Sequence, residues 1–222
     1  MPELPRLDAR LQAAADLIRP GAAVADIGCD HGKLAIWLAC TGRASRVIAA
    51  DLRSGPLKTA AGNCRRFGCE DTVQLRLGDG LSVLRAGEAD TLVLAGVSAQ
   101  TTIEILSAAS WVKTPGLRLV CVPATKAPVL RRWLWQQGFL LESERLAKAA
   151  GRWYAAIGAV YTGQPVQAPW ADCLLGLARG QQGAAEYAAQ LAQKLRKVLR
   201  GLAPGTPQWG EAQQLLKELE QG

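Results

Sequence analysis

The chain has 222 residues, of which 49% are hydrophobic and 20% are charged, and its formal net charge at pH 7 is +7. These proportions exclude a disordered or collagen-like chain and predict one full folded core with material left for an appendage. The longest apolar stretches, such as residues 91–97, are far shorter than the roughly 20 residues that cross a bilayer, so we expect no membrane association. The first residues lack the apolar run of a signal peptide, which predicts a cytoplasmic protein.

The cysteines and the charge distribution narrow the possible ligands. No Cys-x-x-Cys pair is present and there is a single histidine, so we predict no metal site. The scatter of the six cysteines through apolar segments predicts reduced, buried thiols. Residues 1–162 hold 20 basic and 14 acidic residues, against 6 and 5 in residues 163–222. A basic first domain attracts polyanions, and charge alone does not distinguish between RNA, DNA and acidic membranes.

The first two thirds of the chain alternate between two hydrophobic periods. An amphipathic pattern between Leu7 and Ile18 predicts an opening helix that ends at Pro20 and Gly21. Strands and helices then follow one another, because short apolar runs alternate with segments of helical spacing. The predicted strands are residues 22–28, 46–50, 72–77, 91–95 and 117–122, and the predicted helices are residues 31–39, 55–67 and 100–110.

The pattern changes after the fifth strand. A helix is predicted at residues 129–137, followed by two strands at 139–146 and 153–161 that are joined by a short turn around Gly151. Because parallel strands need long crossovers, two strands with so short a link must pair antiparallel. We therefore predict an α/β fold with a Rossmann-like, doubly wound seven-stranded sheet that has an antiparallel edge strand.

A linker and a helical segment complete the chain. Residues 162–169 are rich in Gly, Pro and Gln, which is typical of a linker. Beyond them, two apolar stripes with helical spacing flank a turn at residues 204–207. They predict a C-terminal α-helical hairpin that resembles an antiparallel coiled coil. The predicted domains are residues 1–162 and residues 163–222.

The strongest signal for a ligand lies at the end of the first predicted strand, in residues 24–32. Gly28 would let a ligand approach the backbone closely, and ligands of doubly wound sheets bind at this end of the strands. Gly28 and Gly32 are four residues apart and no third glycine follows, so the loop is not a dinucleotide fingerprint. It is acidic instead, with Asp26 and Asp30, which favours a ligand that carries a sulfonium and an amino group rather than phosphates.

Two further predicted strands end in acidic residues. Asp51 ends the second strand, where a carboxylate can accept hydrogen bonds from a ribose diol. Asp79 follows the third strand between Gly78 and Gly80, where it could accept a hydrogen bond from an adenine amino group. An Asp at a strand end is often a helix cap or a turn former. Three such residues at successive strand ends nevertheless predict a nucleoside pocket.

These segments together resemble the bacterial family that methylates N1 of the adenine at position 22 of tRNA. The resemblance spans nearly the whole chain and is carried by residues 7–11, 24–31, 55–57, 75–81 and 130–144. It implies a catalytic domain that binds S-adenosyl-L-methionine and a helical domain that helps to hold tRNA. It implies cofactor contacts at Asp26, Gly28, Asp30, His31, Asp51, Asp79 and Gly96, and the pocket pattern adds Gly80.

The chain departs from this family in two loops that would line the pocket for the target base. In the first loop, the chain has Gly96-Val97-Ser98-Ala99 where members of the family have a motif similar to Gly-Met-Gly-Gly. In the second loop, it has Val122-Pro123-Ala124 where the family tends to have Gln-Pro-Asn. No catalytic residue can be assigned, since the position of His31 before a helix favours a structural or cofactor contact over a general base. Two alternatives stay open: an RNA-binding protein without catalysis, and a methyltransferase for another substrate.

Basic residues on or near the predicted helices are candidates for contacts with tRNA phosphates. A solvated helix face would explain the charges of the C-terminal hairpin almost equally well. The candidates are Arg10, Arg53, Lys58, Arg131, Arg132, Lys194 and Lys197, with Arg196 and Arg200 as additional hairpin positions.

Overall fold

Seven strands form one sheet with helices on both faces in the computed structural model, which describes residues 4–221. The strands are β1 (Ala22–Ile27), β2 (Ala44–Asp51), β3 (Val73–Leu77), β4 (Thr91–Ala95), β5 (Arg118–Val122), β6 (Phe139–Ala149) and β7 (Arg152–Tyr161). The helices are α1 (Ala9–Leu17), α2 (Lys33–Cys40), α3 (Ser54–Phe67), α4 (Ala99–Ser107), α5 (Ala127–Gln136), α6 (Trp170–Leu175), α7 (Ala184–Arg200) and α8 (Pro207–Gln221). The outermost residues of the two predicted domains, 1–3 and 222, lie outside the described residues.

The strand order across the sheet is β3-β2-β1-β4-β5-β7-β6. Strands β1 to β5 run parallel, and the chain reverses its direction of travel across the sheet between β1 and β4. Strand β7 pairs antiparallel with both of its neighbours, so the hairpin of β6 and β7 forms one edge of the sheet. The predicted Rossmann-like, seven-stranded sheet with an antiparallel edge is confirmed. Because β7 runs against β5, its first residues lie beside the carboxyl ends of the parallel strands.

Both faces of the central strands are buried. Ala25 and Leu92 belong to one buried apolar cluster, whereas Val24 and Val93 on the same two strands belong to a second cluster on the other face. Neighbouring residues of a strand point to opposite faces, so a strand that is covered on both sides must be apolar at nearly every position. This requirement explains the continuous apolar runs in the sequence.

Some helices and strands begin or end at residues other than those predicted from the sequence. Helix α1 begins at Ala9 because the Asp8 side chain accepts hydrogen bonds from the backbone N–H groups of Arg10 and Leu11. Strand β6 continues to Ala149 because its pairing with β7 persists to the last residues before the turn. Helix α4 ends three residues before its predicted end, at Ser107.

The two predicted C-terminal helices are present as α7 and α8, and Arg196 forms an ion pair with Glu220 across the hairpin. Helix α6 was not predicted, because six residues are too few to show a helical period. Helices α6 and α7 pack on the sheet, because Leu175 of α6 and Tyr187 and Leu191 of α7 belong to the same buried apolar cluster as residues of the strands.

Helix α7 is docked on the first residues of β7. The Gln190 side chain accepts a hydrogen bond from the Trp153 N–H and donates one to the Trp153 carbonyl, each at 2.8 Å. Gly183, which precedes α7, has a φ of +86°, and a Cβ atom there would lie 2.2 Å from the nearest carbon of the Trp153 ring. Glycine is therefore required at this position by both backbone and packing. The docking fixes α7 beside the carboxyl end of β5.

Arg131 lies in the interior, so the prediction that it contacts RNA is wrong. Its Nε and Nη2 atoms donate to the two carboxylate oxygens of Glu144 at 2.8 and 3.0 Å, and both side chains are fully buried. Its Nη1 atom donates to the carbonyl oxygens of Cys173 and Leu174 at 3.1 and 3.0 Å. This ion pair ties α5 and β6 to α6, and its four hydrogen bonds compensate for the loss of water around the charges.

The cysteine side chains lie in the interior, as predicted: five are buried and Cys40 is half-buried. Burial raises the pKa of the Cys121 thiol to about 12, so this thiol is protonated at neutral pH. Among residues 4–221, no helix combines the length and the apolar character that a membrane span requires.

We expect Arg131→Met to lower the free energy of unfolding by about 3–5 kcal/mol, because it leaves the Glu144 carboxylate buried without its partner. Urea unfolding followed by circular dichroism measures the change. Lys197→Met removes an exposed charge from α7 and should leave the stability nearly unchanged. A loss below about 1 kcal/mol in Arg131→Met would contradict a structural role for this ion pair.

Candidate functional site

The carboxyl ends of β1, β2, β3 and β4 open onto one cleft of about 500 Å³. The cleft lies where the strand order reverses between β1 and β4, the position at which doubly wound sheets bind their ligands. The structure brings together in this cleft all the residues predicted to contact a cofactor: Asp26, Gly28, Asp30, His31, Asp51, Asp79, Gly80 and Gly96.

The loop after β1 is shaped by hydrogen bonds to the end of β2. The N–H groups of Gly28 and Cys29 both donate to the Ala50 carbonyl oxygen, at 2.8 and 2.9 Å. Gly28 has a φ of +76°, and nothing lies within 4 Å of the position a Cβ atom would take, so its backbone is open to the cleft. Asp30 is also left-handed, with a φ of +51°, and its N–H donates to Asp51 Oδ2 at 3.0 Å. A strained non-glycine residue of this kind persists only where its surroundings hold it.

Asp51 holds the same loop from the side of β2. Its side chain is buried, Oδ2 accepts the Asp30 N–H, and Oδ1 accepts the Arg53 N–H at 2.9 Å. The Arg53 guanidinium is exposed and lies 3.7 Å from Asp51 Oδ1 and 3.8 Å from Asp30 Oδ1. Each carboxylate oxygen has two lone pairs, so each keeps one for a ligand after accepting a backbone N–H.

Asp26 is a second buried acidic residue in the wall of the cleft. The residue is 4% exposed, and its Oδ2 atom has no hydrogen-bond partner among the described residues. Burial, with a smaller contribution from the charge of Asp51, raises the pKa of Asp26 to about 7. An unpaired buried carboxyl oxygen is unfavourable, and a cation or a hydrogen-bond donor from a ligand would satisfy it.

His31 and Asp79 present polar side chains at the surface of the cleft. His31 Nε2 lies 3.6 Å from Asp30 Oδ1, and its imidazole is 49% exposed. The backbone carbonyl of His31 accepts a hydrogen bond from the Asn63 side chain at 3.2 Å, which links the loop to α3. The Asp79 backbone carbonyl accepts hydrogen bonds from Ser82, which leaves the carboxylate at the cleft.

Apolar residues complete the cleft, and sequence reasoning missed them. Leu52 follows Asp51 and is 65% exposed, although it is large and apolar. Thr101 and Ile105 line the cleft from α4. Leu52 could have been found as the residue next to a strand-end acid, whereas the α4 residues belong to an apolar helical stripe that otherwise indicates core. Flat apolar ligand groups are bound by such residues.

The loop after β4 lines the cleft through Gly96 and Val97, and the loop after β5 is joined to it by hydrogen bonds. The Gly96 N–H donates to the Val122 carbonyl at 3.0 Å, and the Ala124 N–H donates to the Val97 carbonyl at 2.8 Å. The Ser98 side chain accepts a backbone N–H of the first turn and caps α4. These two loops, residues 96–99 and 122–124, are the ones in which the sequence departs from the resembled family, and we call them the rim loops. They are joined to each other and present mainly apolar side chains.

The remaining residues predicted to bind RNA lie in different environments. Arg10 lines the cleft and pairs with Asp8 through Nη2 and Oδ2 at 2.7 Å, and Arg53 also lines the cleft. The guanidinium carbon of Arg132 lies 4.3 Å from the Trp170 ring centroid. Three are exposed on α3 and α7: Lys58, Lys194 and Lys197.

The fold, the cleft and the sequence together define a methyltransferase domain, and the chain belongs to this family: the family model matches residues 7–157. The chain is 33% identical to the tRNA (adenine(22)-N(1))-methyltransferase of Bacillus subtilis (strain 168) over 152 residues. This alignment covers 68% of this chain and 64% of that enzyme. The chain is also 36% identical to the ribosomal protein L11 methyltransferase of Pelotomaculum thermopropionicum over 99 residues. This second alignment covers 45% of this chain and 31% of that enzyme. The alignments thus span less than two thirds of either curated relative.

Solved structures resemble the chain over nearly its whole length. The crystal structure of the B. subtilis tRNA methyltransferase TrmK has a TM-score of 0.84 at 27% identity and covers 99% of both chains. The structure of M. capricolum TrmK, solved in complex with S-adenosyl-homocysteine, has a TM-score of 0.81 at 23% identity and covers 97% of this chain and 96% of that chain. The shared fold therefore includes the C-terminal helices.

The raised pKa of Asp26 predicts a pH-dependent stability. The pKa is about 7 in the folded protein and has its ordinary value of 3.8 in the unfolded chain, so the folded state binds more protons between these values. The contribution of Asp26 to stability should be complete below about pH 4 and should be lost as the pH rises towards 7. Urea unfolding between pH 4.5 and 7.5 measures this slope.

In Asp26→Asn the slope should be smaller, since the titrating group is gone. Glu70→Gln removes an exposed carboxyl group and serves as the matched control with the wild-type slope. Equal slopes in Asp26→Asn and the wild type would show that Asp26 is ionised throughout this range.

Proposed function

We propose that this protein transfers a methyl group from S-adenosyl-L-methionine to N1 of an adenine in tRNA, in the cytoplasm. The observation that carries the proposal is the unpaired, buried carboxyl oxygen of Asp26 in a cleft of about 500 Å³ at the switch point of a methyltransferase fold. The 33% identity to a tRNA (adenine(22)-N(1))-methyltransferase supports the reaction and the substrate.

The charges of the cleft fit S-adenosyl-L-methionine better than a phosphate-bearing nucleotide. The cofactor carries a positive sulfonium and a positive amino group, which a wall containing Asp26 and Asp51 attracts, whereas a pyrophosphate would be repelled. A bound cation would also lower the pKa of Asp26 and satisfy its free oxygen. Asp51 keeps lone pairs for a ribose diol, and Asp79 is exposed for an adenine amino group. The product complex of M. capricolum TrmK agrees with this choice of cofactor.

The reaction asks the protein chiefly for positioning. The lone pair of adenine N1 is itself the nucleophile, so neither a general base nor a covalent enzyme intermediate is needed. When bound, S-adenosyl-L-methionine supplies an electrophilic methyl group on its sulfonium. The positive charge resides on the sulfonium before transfer and on the methylated adenine after it. Alignment of the reactants can contribute roughly 7–11 kcal/mol to lowering the barrier.

The two rim loops suit this mechanism. Val97 and Ala124 carry no ionisable group, and the hydroxyl of Ser98 is engaged in capping α4. Such loops exclude water from the methyl acceptor without exchanging protons with it. N1 lies on the pairing edge of adenine, so the target base must be unpaired or flipped out, at a cost of a few kcal/mol. We expect Arg53, which lines the cleft, and Lys58 on the exposed face of α3 to hold the RNA backbone.

The test is a methylation assay with unmodified tRNA, in which mass spectrometry identifies the modified nucleoside. We expect 1-methyladenosine to form and to depend on both S-adenosyl-L-methionine and tRNA. Cofactor binding and salt-sensitive tRNA binding without methyl incorporation would favour the second candidate function, RNA binding without catalysis, to which the altered rim loops point. Methyl incorporation into another nucleoside would refute the proposed target.

A single substitution tests the cofactor site. We expect Asp51→Asn to weaken the binding of S-adenosyl-homocysteine by tenfold or more, because one charged acceptor of hydrogen bonds becomes a donor. Isothermal titration calorimetry measures the affinity. Asp71→Asn removes an exposed acid before β3, at the opposite edge of the sheet, and should bind as the wild type does. Equal affinities in the two variants would exclude Asp51 from the cofactor site.

A further inference from the structure

A surface beside the cleft gathers cationic and aromatic side chains that the proposed cofactor site does not use. We call it the basic rim and define it by Lys126, Lys148, Arg152, Tyr154 and Lys194. Among these residues, only Lys194 was singled out from the sequence. Because β7 runs antiparallel to β5, Arg152 and Tyr154 lie at the carboxyl edge of the parallel strands, next to the rim loops. Helix α7 brings Lys194 to the same edge.

The rim contains an aromatic ring stacked with arginine side chains. The guanidinium carbons of Arg10 and Arg152 lie 5.2 and 5.7 Å from the centroid of the Tyr154 ring. Arg10 also lines the cofactor cleft, where its Nη1 atom is 3.8 Å from the position that a Cβ atom on Gly96 would take. The stack therefore leads from the interior of the cleft to the outer surface.

The cations of the rim differ from neighbouring cations on β6 and α7 in their ion pairing. Arg145 and Arg196 pair with Asp16 and Glu220. In residues 4–221, by contrast, no ion pair involves Lys126, Lys148, Arg152 or Lys194. Partial burial and the positive charge of nearby Arg152 lower the pKa of Lys194. Like charges held together without counterions are relieved by a polyanion.

Local geometry adds a further sign that the rim is a site. Lys126 has a left-handed backbone conformation, with a φ of +58°. Few of the described non-glycine residues adopt this conformation, and Asp30 in the cofactor cleft is another of them. The strain is held by the link between the two rim loops and by α5, which starts at the next residue. Lys126, Tyr154 and Lys194 line one shallow crevice, which brings the left-handed lysine, the aromatic residue and the α7 cation together.

We propose that the basic rim binds unpaired nucleotides of the tRNA that flank the target adenine. A base stacks on the planar groups of Arg10 and Tyr154, and Arg152 and the lysines neutralise phosphates. Proteins that bind single-stranded RNA combine these two elements, a basic groove and exposed planar side chains. Since Arg53 lies on the β2 side of the cleft and the rim lies on the β7 side, the RNA crosses the cleft with the target base between them. The inference rests on the proposed function, because it takes tRNA as the substrate.

The experiment measures tRNA affinity at several salt concentrations, the kcat and KM of methylation for tRNA, and the affinity for S-adenosyl-homocysteine. Arg152→Gln and Lys194→Gln should each lower the slope of log affinity against log salt by about 0.7–0.9, the value for one lost phosphate contact. Tyr154→Leu should weaken tRNA binding on the order of tenfold and raise KM more than it lowers kcat. Tyr154→Phe keeps the ring and should bind as the wild type does.

The control is Arg65→Gln, which removes an exposed cation at the end of α3, at the edge of the sheet away from the cleft. It should change neither the affinity nor the salt slope. All variants should bind S-adenosyl-homocysteine with wild-type affinity. A double-stranded RNA of similar length should bind less tightly than tRNA, because its bases are not available for stacking.

The outcomes separate the two proposals. Wild-type tRNA affinity and salt slope in Arg152→Gln and Tyr154→Leu, with methylation intact in the wild type, would overturn the basic rim and leave the proposed function standing. Rim-dependent tRNA binding without any methylated nucleoside would overturn the proposed function and leave the rim. A wild-type protein that binds no tRNA overturns both. If circular dichroism shows that Tyr154→Leu is unfolded, Arg152→Gln and Lys194→Gln decide.

Discussion

The arrangement of the site depends on one energetic constraint, the burial of the Asp26 carboxyl group at the tip of β1. Water is excluded from it by the apolar sheet, and the carboxylate of Asp51 on the neighbouring strand adds repulsion, so the folded protein disfavours its ionised form. The surrounding loop cannot relax to relieve this, because Asp51 is held by the backbone of its own loop and by that of Asp30. The folded protein therefore bears the cost of ionising Asp26, which a neighbouring positive charge would lower.

The rest of the molecule keeps this edge of the sheet rigid. Helices cover both faces of the central strands, and the buried ion pair of Arg131 and Glu144 joins the sheet to α6. Gln190 and Trp153 fix α7 against β7. This edge carries acids inside the cleft and, beside it, cations that form no ion pair within residues 4–221. A small cation and a polyanion can then be held next to each other, each in a field of opposite sign.

Much of the fold and of the candidate site could be predicted from residue patterns. The carboxyl ends of parallel strands meet at one edge, so acids that follow β1, β2 and β3 had to approach one another once the strands were recognised. Helix α6 was missed because its six residues show no period. Leu52 and Ile105 were missed because an apolar side chain does not reveal whether it faces a core or a ligand. Element ends shifted where a cap such as Asp8 decided them.

Local patterns along the chain were enough to predict the order of strands and helices and the acids and glycines at the strand tips, because these follow from periodicity and from residues that are neighbours in the chain. Which charges are exposed depends instead on tertiary packing. Arg131 is buried because Glu144 and the carbonyls of α6, which are distant along the chain, surround it. Arg10 and Tyr154 come together from opposite ends of the first domain, through the packing of α1 on β7. Contacts of this kind depend on how the sheet closes, and local sequence patterns carry no information about that.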